Sequence, residues 1–171
     1  MAVTWDACVR QAARALDAAR SADVTLGCAE SCTGGLVSGS LTAVPGSSDV
    51  VRGGVVSYAV PVKHEVLGVP SRVLDDPSLG AVSRECAEAM ARGAREALGC
   101  DVAVSVTGIA GPGGEEPGKP VGTVWFGLST AAGTRAVLCT FSGDRSEVRL
   151  QAVLEALALL CEGSVEAPGV A

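Results

Sequence analysis

Helix-patterned stretches and short apolar runs take turns along almost the whole chain. This alternation limits the fold more than any single residue does. Residues 4–20 set Trp5, Cys8, Val9, Ala12, Leu16 and Ala19 at helical spacing behind Thr4, a good N-cap. Val24 to Ala29 is a continuous apolar run that reads as a buried strand. A helical pattern from Thr33 to Leu41 stops at Val44-Pro45-Gly46, and Gly53 to Val60 reads as a second strand. A short helix is expected over 62–67, after Pro61, and 71–81 is irregular. Ser83 opens a strong helix with Glu85 in its first turn, which Gly99 ends after Leu98. Asp101 to Val106 is a strand, followed by a loop over 107–120 with five glycines and three prolines. Val121 to Ser129 and Arg135 to Phe141 form a hairpin around Ala132-Gly133. Asp144 to Glu162 is an amphipathic helix with Val148, Val153, Leu154, Leu157 and Leu160 inward. The pattern predicts an α/β, three-layer α/β/α domain with a mixed, mostly parallel sheet and one late hairpin. No repeat or linker divides it. One domain is expected over 1–162, with a flexible tail over 163–171.

Nearly half of the 171 residues are apolar but only five are aromatic, so the core has to be aliphatic and rich in alanine. A net charge of −6 argues against a nucleic-acid partner held by a basic face. No run of apolar residues is long enough to cross a membrane, and Met-Ala-Val-Thr-Trp-Asp has no leader character, so a cytoplasmic location is expected. The seven cysteines form no C-x-x-C pair, and Cys8, Cys86 and Cys161 fall on apolar faces of expected helices and Cys139 within a strand, which reads as reduced, small hydrophobes.

The chemistry-bearing string is Ala29-Glu30-Ser31-Cys32-Thr33-Gly34-Gly35, at an expected strand-to-helix junction. Unpaired N–H groups at such a place hold anions or stabilise an oxyanion. Ser31 is either the cap of the following helix or a nucleophile. As a nucleophile it needs a base. Arginines stay protonated, which leaves Lys63, His64, Tyr58 or a carboxylate. Lys63 and Lys119 are the only lysines and His64 the only histidine. A lysine acts as base when burial lowers its pKa. Cys32 with His64 is a thiol alternative. Zinc needs four ligands, and Cys28, Cys32 and a lone histidine do not supply them, so no metal site is expected.

Thr107-Gly108-Ile109-Ala110-Gly111-Pro112-Gly113-Gly114 follows a strand. It lacks the phosphate-loop lysine and a following helix, so it is neither a P-loop nor a dinucleotide fingerprint. In an α/β domain such a loop lines a site or makes a plain turn. Arg145, in Ser142-Gly143-Asp144-Arg145, stands at a helix start and pairs with Asp144, Glu147 or a ligand phosphate.

In order, the 29–35 string, Tyr58 with Lys63, Val106 to Pro112, Lys119-Pro120-Val121-Gly122-Thr123-Val124 and Gly143-Asp144-Arg145 resemble the CinA C-terminal domain family over residues 5 to 161. The resemblance implies a stand-alone amidohydrolase that converts nicotinamide mononucleotide to nicotinate mononucleotide and ammonia in pyridine nucleotide recycling, without a cofactor. It places the nucleophile at Ser31 and the base at Lys63, with Tyr58 beside them. Thr33, Gly34, Gly35, Thr107, Gly108, Ala110, Gly111 and Arg145 fall where the substrate would be held. Between Tyr58 and Lys63 the family often has polar residues, whereas this chain has Ala59-Val60-Pro61-Val62. A homodimer is expected, and a non-catalytic nucleotide- or protein-binding module is the rival reading.

Overall fold

The computed structural model describes residues 3–167. Its elements run α1 (Trp5–Ala22), β1 (Leu26–Glu30), α2 (Leu36–Thr42), a 3-10 turn (Ser47–Asp49), β2 (Val51–Val56), α3 (Val60–Leu67) and α4 (Ser71–Leu74). They continue with α5 (Arg84–Leu98), β3 (Val102–Gly108), β4 (Thr123–Thr130), β5 (Gly133–Thr140) and α6 (Arg145–Glu166). The strands form one five-stranded sheet in the order β2-β1-β3-β4-β5. β2, β1 and β3 pair in parallel, and β4 runs antiparallel to both β3 and β5. The expected three-layer α/β/α architecture, with its mixed sheet and late hairpin, is the one observed.

Strand alternation sorts the two faces. Val102, Val104 and Val106 of β3 join α1, α2 and α6 in the larger core, with Leu16, Leu41, Val153 and Leu157. Ala103 faces the other way, onto Cys86, Met90 and Ala94 of α5 and Leu67 of α3. That second face is built from small residues because α5 lies very close to it. A Cβ added at Gly127 would come within 2.2 Å of the Ala87 carbonyl oxygen. The Ser105 hydroxyl donates to the same carbonyl at 2.6 Å. The connection from β1 to β2 therefore passes over one face and that from β2 to β3 over the other. Such a crossing opens a crevice at the carboxyl ends of the parallel strands.

Several boundaries differ from the sequence reading. β2 ends at Val56 rather than Val60, because Val60 opens α3 with Pro61 in its first turn. α2 begins at Leu36 rather than Thr33, because residues 31–35 form turns in which Gly34 and Gly35 take positive φ. β4 begins at Thr123 rather than Val121, after Gly122 turns at φ +92°. α6 continues to Glu166 with Gly163 and Ser164 buried, so residues 163–167 are packed helix end, not tail. A Cβ at Gly163 would press on Val102 and Leu128, which explains a glycine in that helix. The rest of the expected tail, 168–171, lies outside the described residues.

Candidate active site

The carboxyl ends of β1, β2 and β3 meet at Ser31. The Ser31 N–H donates to Val106 O on β3 at 2.9 Å, and the Ser57 N–H donates to Glu30 O at 2.8 Å. The peptide that joins Glu30 to Ser31 is thus tied on both sides, to β3 and to the residue after β2.

Ser31 does not cap the helix that follows. The N-cap of α2 is Gly35, which has no side chain to accept a bond. Glu30 caps instead, from the last position of β1. It is fully buried. Its Oε2 accepts from the N–H groups of Gly35 and Val37, each at 3.0 Å. Its Oε1 accepts from the Ser38 N–H at 2.9 Å and the Ser38 hydroxyl at 2.6 Å. A buried carboxylate is tolerable only with such donors. This role was not read from the sequence. Its signal was a lone carboxylate inside an apolar strand, just ahead of a glycine-rich helix start.

With the cap supplied by Glu30, the Ser31 hydroxyl is left for Lys63. Lys63 Nζ donates to Ser31 Oγ at 2.9 Å and also to the Ser57 carbonyl. α3 delivers it over the end of the sheet, and the residue is buried, with 1% of its surface exposed. Burial pushes its pKa below the ordinary lysine value. Among the described residues no carboxylate forms an ion pair with it. Lys119, in contrast, bonds Leu79 O at 2.6 Å and Glu116 Oε2 at 2.8 Å, tying the long loop to the 71–81 segment.

The thiol alternative loses both partners. Burial pushes the Cys32 thiol up to about 11, so it stays protonated at neutral pH. His64 is exposed, and its Nδ1 lies 2.8 Å from Val69 O, where it donates at the end of α3.

The turn after Ser31 is held by a residue the sequence reading missed. Arg149 of α6 donates from Nε to Cys32 O at 3.0 Å and from Nη2 to Thr33 O at 2.9 Å. It stands one turn beyond Arg145, which was the available signal. The expected N–H donors are narrowed. Gly34 N–H is spent on Ser31 O, and Gly35 N–H on Glu30. Among the described residues the N–H groups of Cys32 and Thr33 meet no acceptor, and the buried Thr33 hydroxyl has no partner.

Tyr58, expected beside Ser31 and Lys63, bonds neither of them among the described contacts. It is 63% exposed, and its hydroxyl accepts from Arg145 Nη2 at 3.3 Å. Arg145 Nη1 donates to Gly111 O at 2.8 Å. Tyr58, Arg145 and Gly111 therefore form a polar rim outside the Ser31–Lys63 pair. Asp144 pairs with backbone rather than with Arg145: it caps α6, in a reciprocal box with Glu147. Two loop positions expected to hold substrate are occupied by packing. Thr107 is buried and its hydroxyl donates to Ala81 O at 2.7 Å. At Gly108 a Cβ would sit 2.7 Å from Thr123 O, so the glycine admits β4. Ala110 and Gly111 remain beside Arg145.

The family model for the CinA C-terminal domain matches residues 9–163. This chain belongs to the CinA C-terminal domain family. A CinA-like protein of Myxococcus xanthus is 49% identical over 158 residues, which are 92% of this chain and 37% of the relative. One of Gemmatimonas aurantiaca is 48% identical over 79% of this chain and 31% of its own length. This CinA domain thus spans about a third of the length of the curated relatives it matches. Among solved structures, the competence/damage inducible protein CihA from Agrobacterium tumefaciens is 38% identical, with a TM-score of 0.87, over 92% of this chain and 95% of that one. A CinA superfamily protein from Klebsiella pneumoniae is 34% identical, with a TM-score of 0.87, over 93% and 98%. No described helix of the CinA domain is long and apolar enough to cross a membrane.

Proposed function

We propose that this CinA domain is a serine–lysine amidohydrolase acting on nicotinamide mononucleotide. The observation that carries the reading is the 2.9 Å contact between Lys63 Nζ and Ser31 Oγ, made by a buried lysine without a carboxylate partner. Neutral Lys63 takes the Ser31 proton, and Ser31 attacks the carboxamide carbon. The free N–H groups of Cys32 and Thr33 receive the oxyanion. Protonated Lys63 gives its proton to the departing amine, which leaves as ammonia. Water, deprotonated by Lys63, then releases the carboxylate product from Ser31.

The substrate assignment rests on the family resemblance and on the rim. Arg145 uses one N–H on Gly111 and one on Tyr58, and its remaining N–H groups suit a phosphate. The aromatic ring of Tyr58 offers a face to a pyridine. Purified protein incubated with nicotinamide mononucleotide is expected to release ammonia and nicotinate mononucleotide. Ser31→Ala is expected to release none, and Cys32→Ala to keep most of the activity. Turnover by Ser31→Ala, or loss only in Cys32→Ala, would overturn the nucleophile assignment.

A further inference from the structure

Arg149 has no catalytic assignment and, among the described residues, no carboxylate partner. Both of its bonds go to backbone carbonyls of the nucleophile turn, Cys32 O at 3.0 Å and Thr33 O at 2.9 Å. Each carbonyl shares a peptide plane with the next residue's N–H. The Cys32 carbonyl is paired in this way with the Thr33 N–H, and the Thr33 carbonyl with the Gly34 N–H.

The peptide after Cys32 is trans, so its N–H points opposite to its C=O. A guanidinium fixed on the carbonyl therefore fixes the direction of the Thr33 N–H, away from Arg149. The Gly34 N–H is already committed to Ser31 O at 3.1 Å. The Thr33 N–H is not committed. A charged donor on the carbonyl also polarises the peptide and strengthens its N–H as a donor. The close approach of the guanidinium is built in: a Cβ at Gly34 would lie 3.3 Å from Arg149 Nη2, at a φ of +61°.

We propose that Arg149 is a positioning residue that aims and strengthens the Thr33 N–H as an oxyanion donor for acyl transfer at Ser31. The inference rests on the serine–lysine reading. It separates the two arginines of α6: Arg145 faces the substrate from the rim, and Arg149 acts through the backbone.

The test uses Arg149→Met and Arg149→Lys in the full chain. A lysine lacks the planar fork that spans two carbonyls, so it is expected to rescue little. For both variants kcat for ammonia release from nicotinamide mononucleotide is expected to fall about 10- to 100-fold, with KM within about threefold of wild type. The pH midpoint of the rate should stay in place, because Lys63 is untouched. Labelling of Ser31 by phenylmethylsulfonyl fluoride, read by intact mass, should slow by a similar factor, since a sulfonyl oxygen occupies the oxyanion position. A folded Arg149→Met with kcat within twofold of wild type overturns the proposal. So does a loss that disappears at another pH, which would assign the effect to Lys63. If Arg149→Met does not fold, Arg149→Lys decides by the same criteria. Wild type that is labelled at Ser31 but releases no ammonia defeats the substrate assignment, and the labelling ratio still decides Arg149. Wild type that is not labelled at Ser31 overturns both.

Discussion

Lys63 Nζ donates to Ser31 Oγ across 32 positions of sequence, and among the described residues its one other bond goes to the Ser57 carbonyl. A neutral amine keeps both contacts, its N–H on the Ser57 carbonyl and its lone pair on the Ser31 hydroxyl, so among the described residues neither partner obliges Lys63 to carry charge. A base must lose its proton, and arginine does not. Lys63→Arg is therefore expected to keep a cation near Ser31 yet lose at least about 1,000-fold in kcat. Steady-state ammonia release checks this. Activity within tenfold of wild type would remove Lys63 from the base role.

The lowered pKa of Lys63 gives a pH signature in both rate and stability. The rate is expected to rise with pH to a plateau, with its midpoint below the ordinary lysine value. For stability, the unfolded chain binds the Lys63 proton more tightly than the folded one. Between the lowered folded pKa and the ordinary value the unfolded state therefore holds more protons, and stability rises with pH. Below that window the cost of burying the charge is fully present. Lys63→Met removes it. Its melting temperature, relative to wild type, should be highest at pH values below the folded pKa and fall back as pH rises through the window. A gap between the two proteins that does not vary with pH would contradict the assignment.

Glu30 makes a different demand. Its fully buried carboxylate absorbs the N–H groups of Gly35, Val37 and Ser38. Glu30→Ala leaves the buried Val37 N–H and the half-buried Gly35 and Ser38 N–H groups without their acceptor, at about 1–3 kcal/mol for the buried donor and less for the other two, so a loss of roughly 3 kcal/mol is expected. Ser38→Ala removes only the hydroxyl bond and should cost about 1 kcal/mol. Urea denaturation of the two variants gives the comparison. Equal, small losses would mean that the cap carries little of the fold's stability.

The layering was legible because it depends on periodicity. The 3.6-residue pattern of α1 and α5, and the apolar runs of β1 and β3, report burial directly. The turn after β1 was half legible. Its residue types pointed to Ser31, but local rules put a helix N-cap there, and the cap comes from Glu30, whose side chain serves a helix start five to eight residues ahead. Such reach depends on how β1 and α2 pack. The packing partners of Thr107 and Gly108 went unread for the same reason: a hydroxyl and a glycine look alike whether they meet a substrate, the Ala81 carbonyl or strand β4. Arg149 went unread because its partners are backbone carbonyls, and these leave no mark in a sequence.

In the proposed reading the rim serves binding and the Ser31–Lys63 pair serves chemistry. Arg145 and Tyr58 are exposed and touch each other, while neither bonds Ser31 or Lys63. Residues that hold a phosphate equally in ground and transition state change KM more than kcat. Arg145→Ala is expected to raise KM for nicotinamide mononucleotide about 10- to 100-fold, the scale of a lost charge-assisted bond, with kcat changed less than about threefold. Tyr58→Phe removes only an acceptor at 3.3 Å from Arg145 and should change KM by less than about fivefold. Nicotinamide riboside, which lacks the phosphate, supplies the control. The Arg145→Ala penalty should vanish with it, because the group proposed to meet Arg145 is gone. A penalty of equal size on both substrates would place Arg145 in the architecture of the loop, through Gly111, and not on the phosphate.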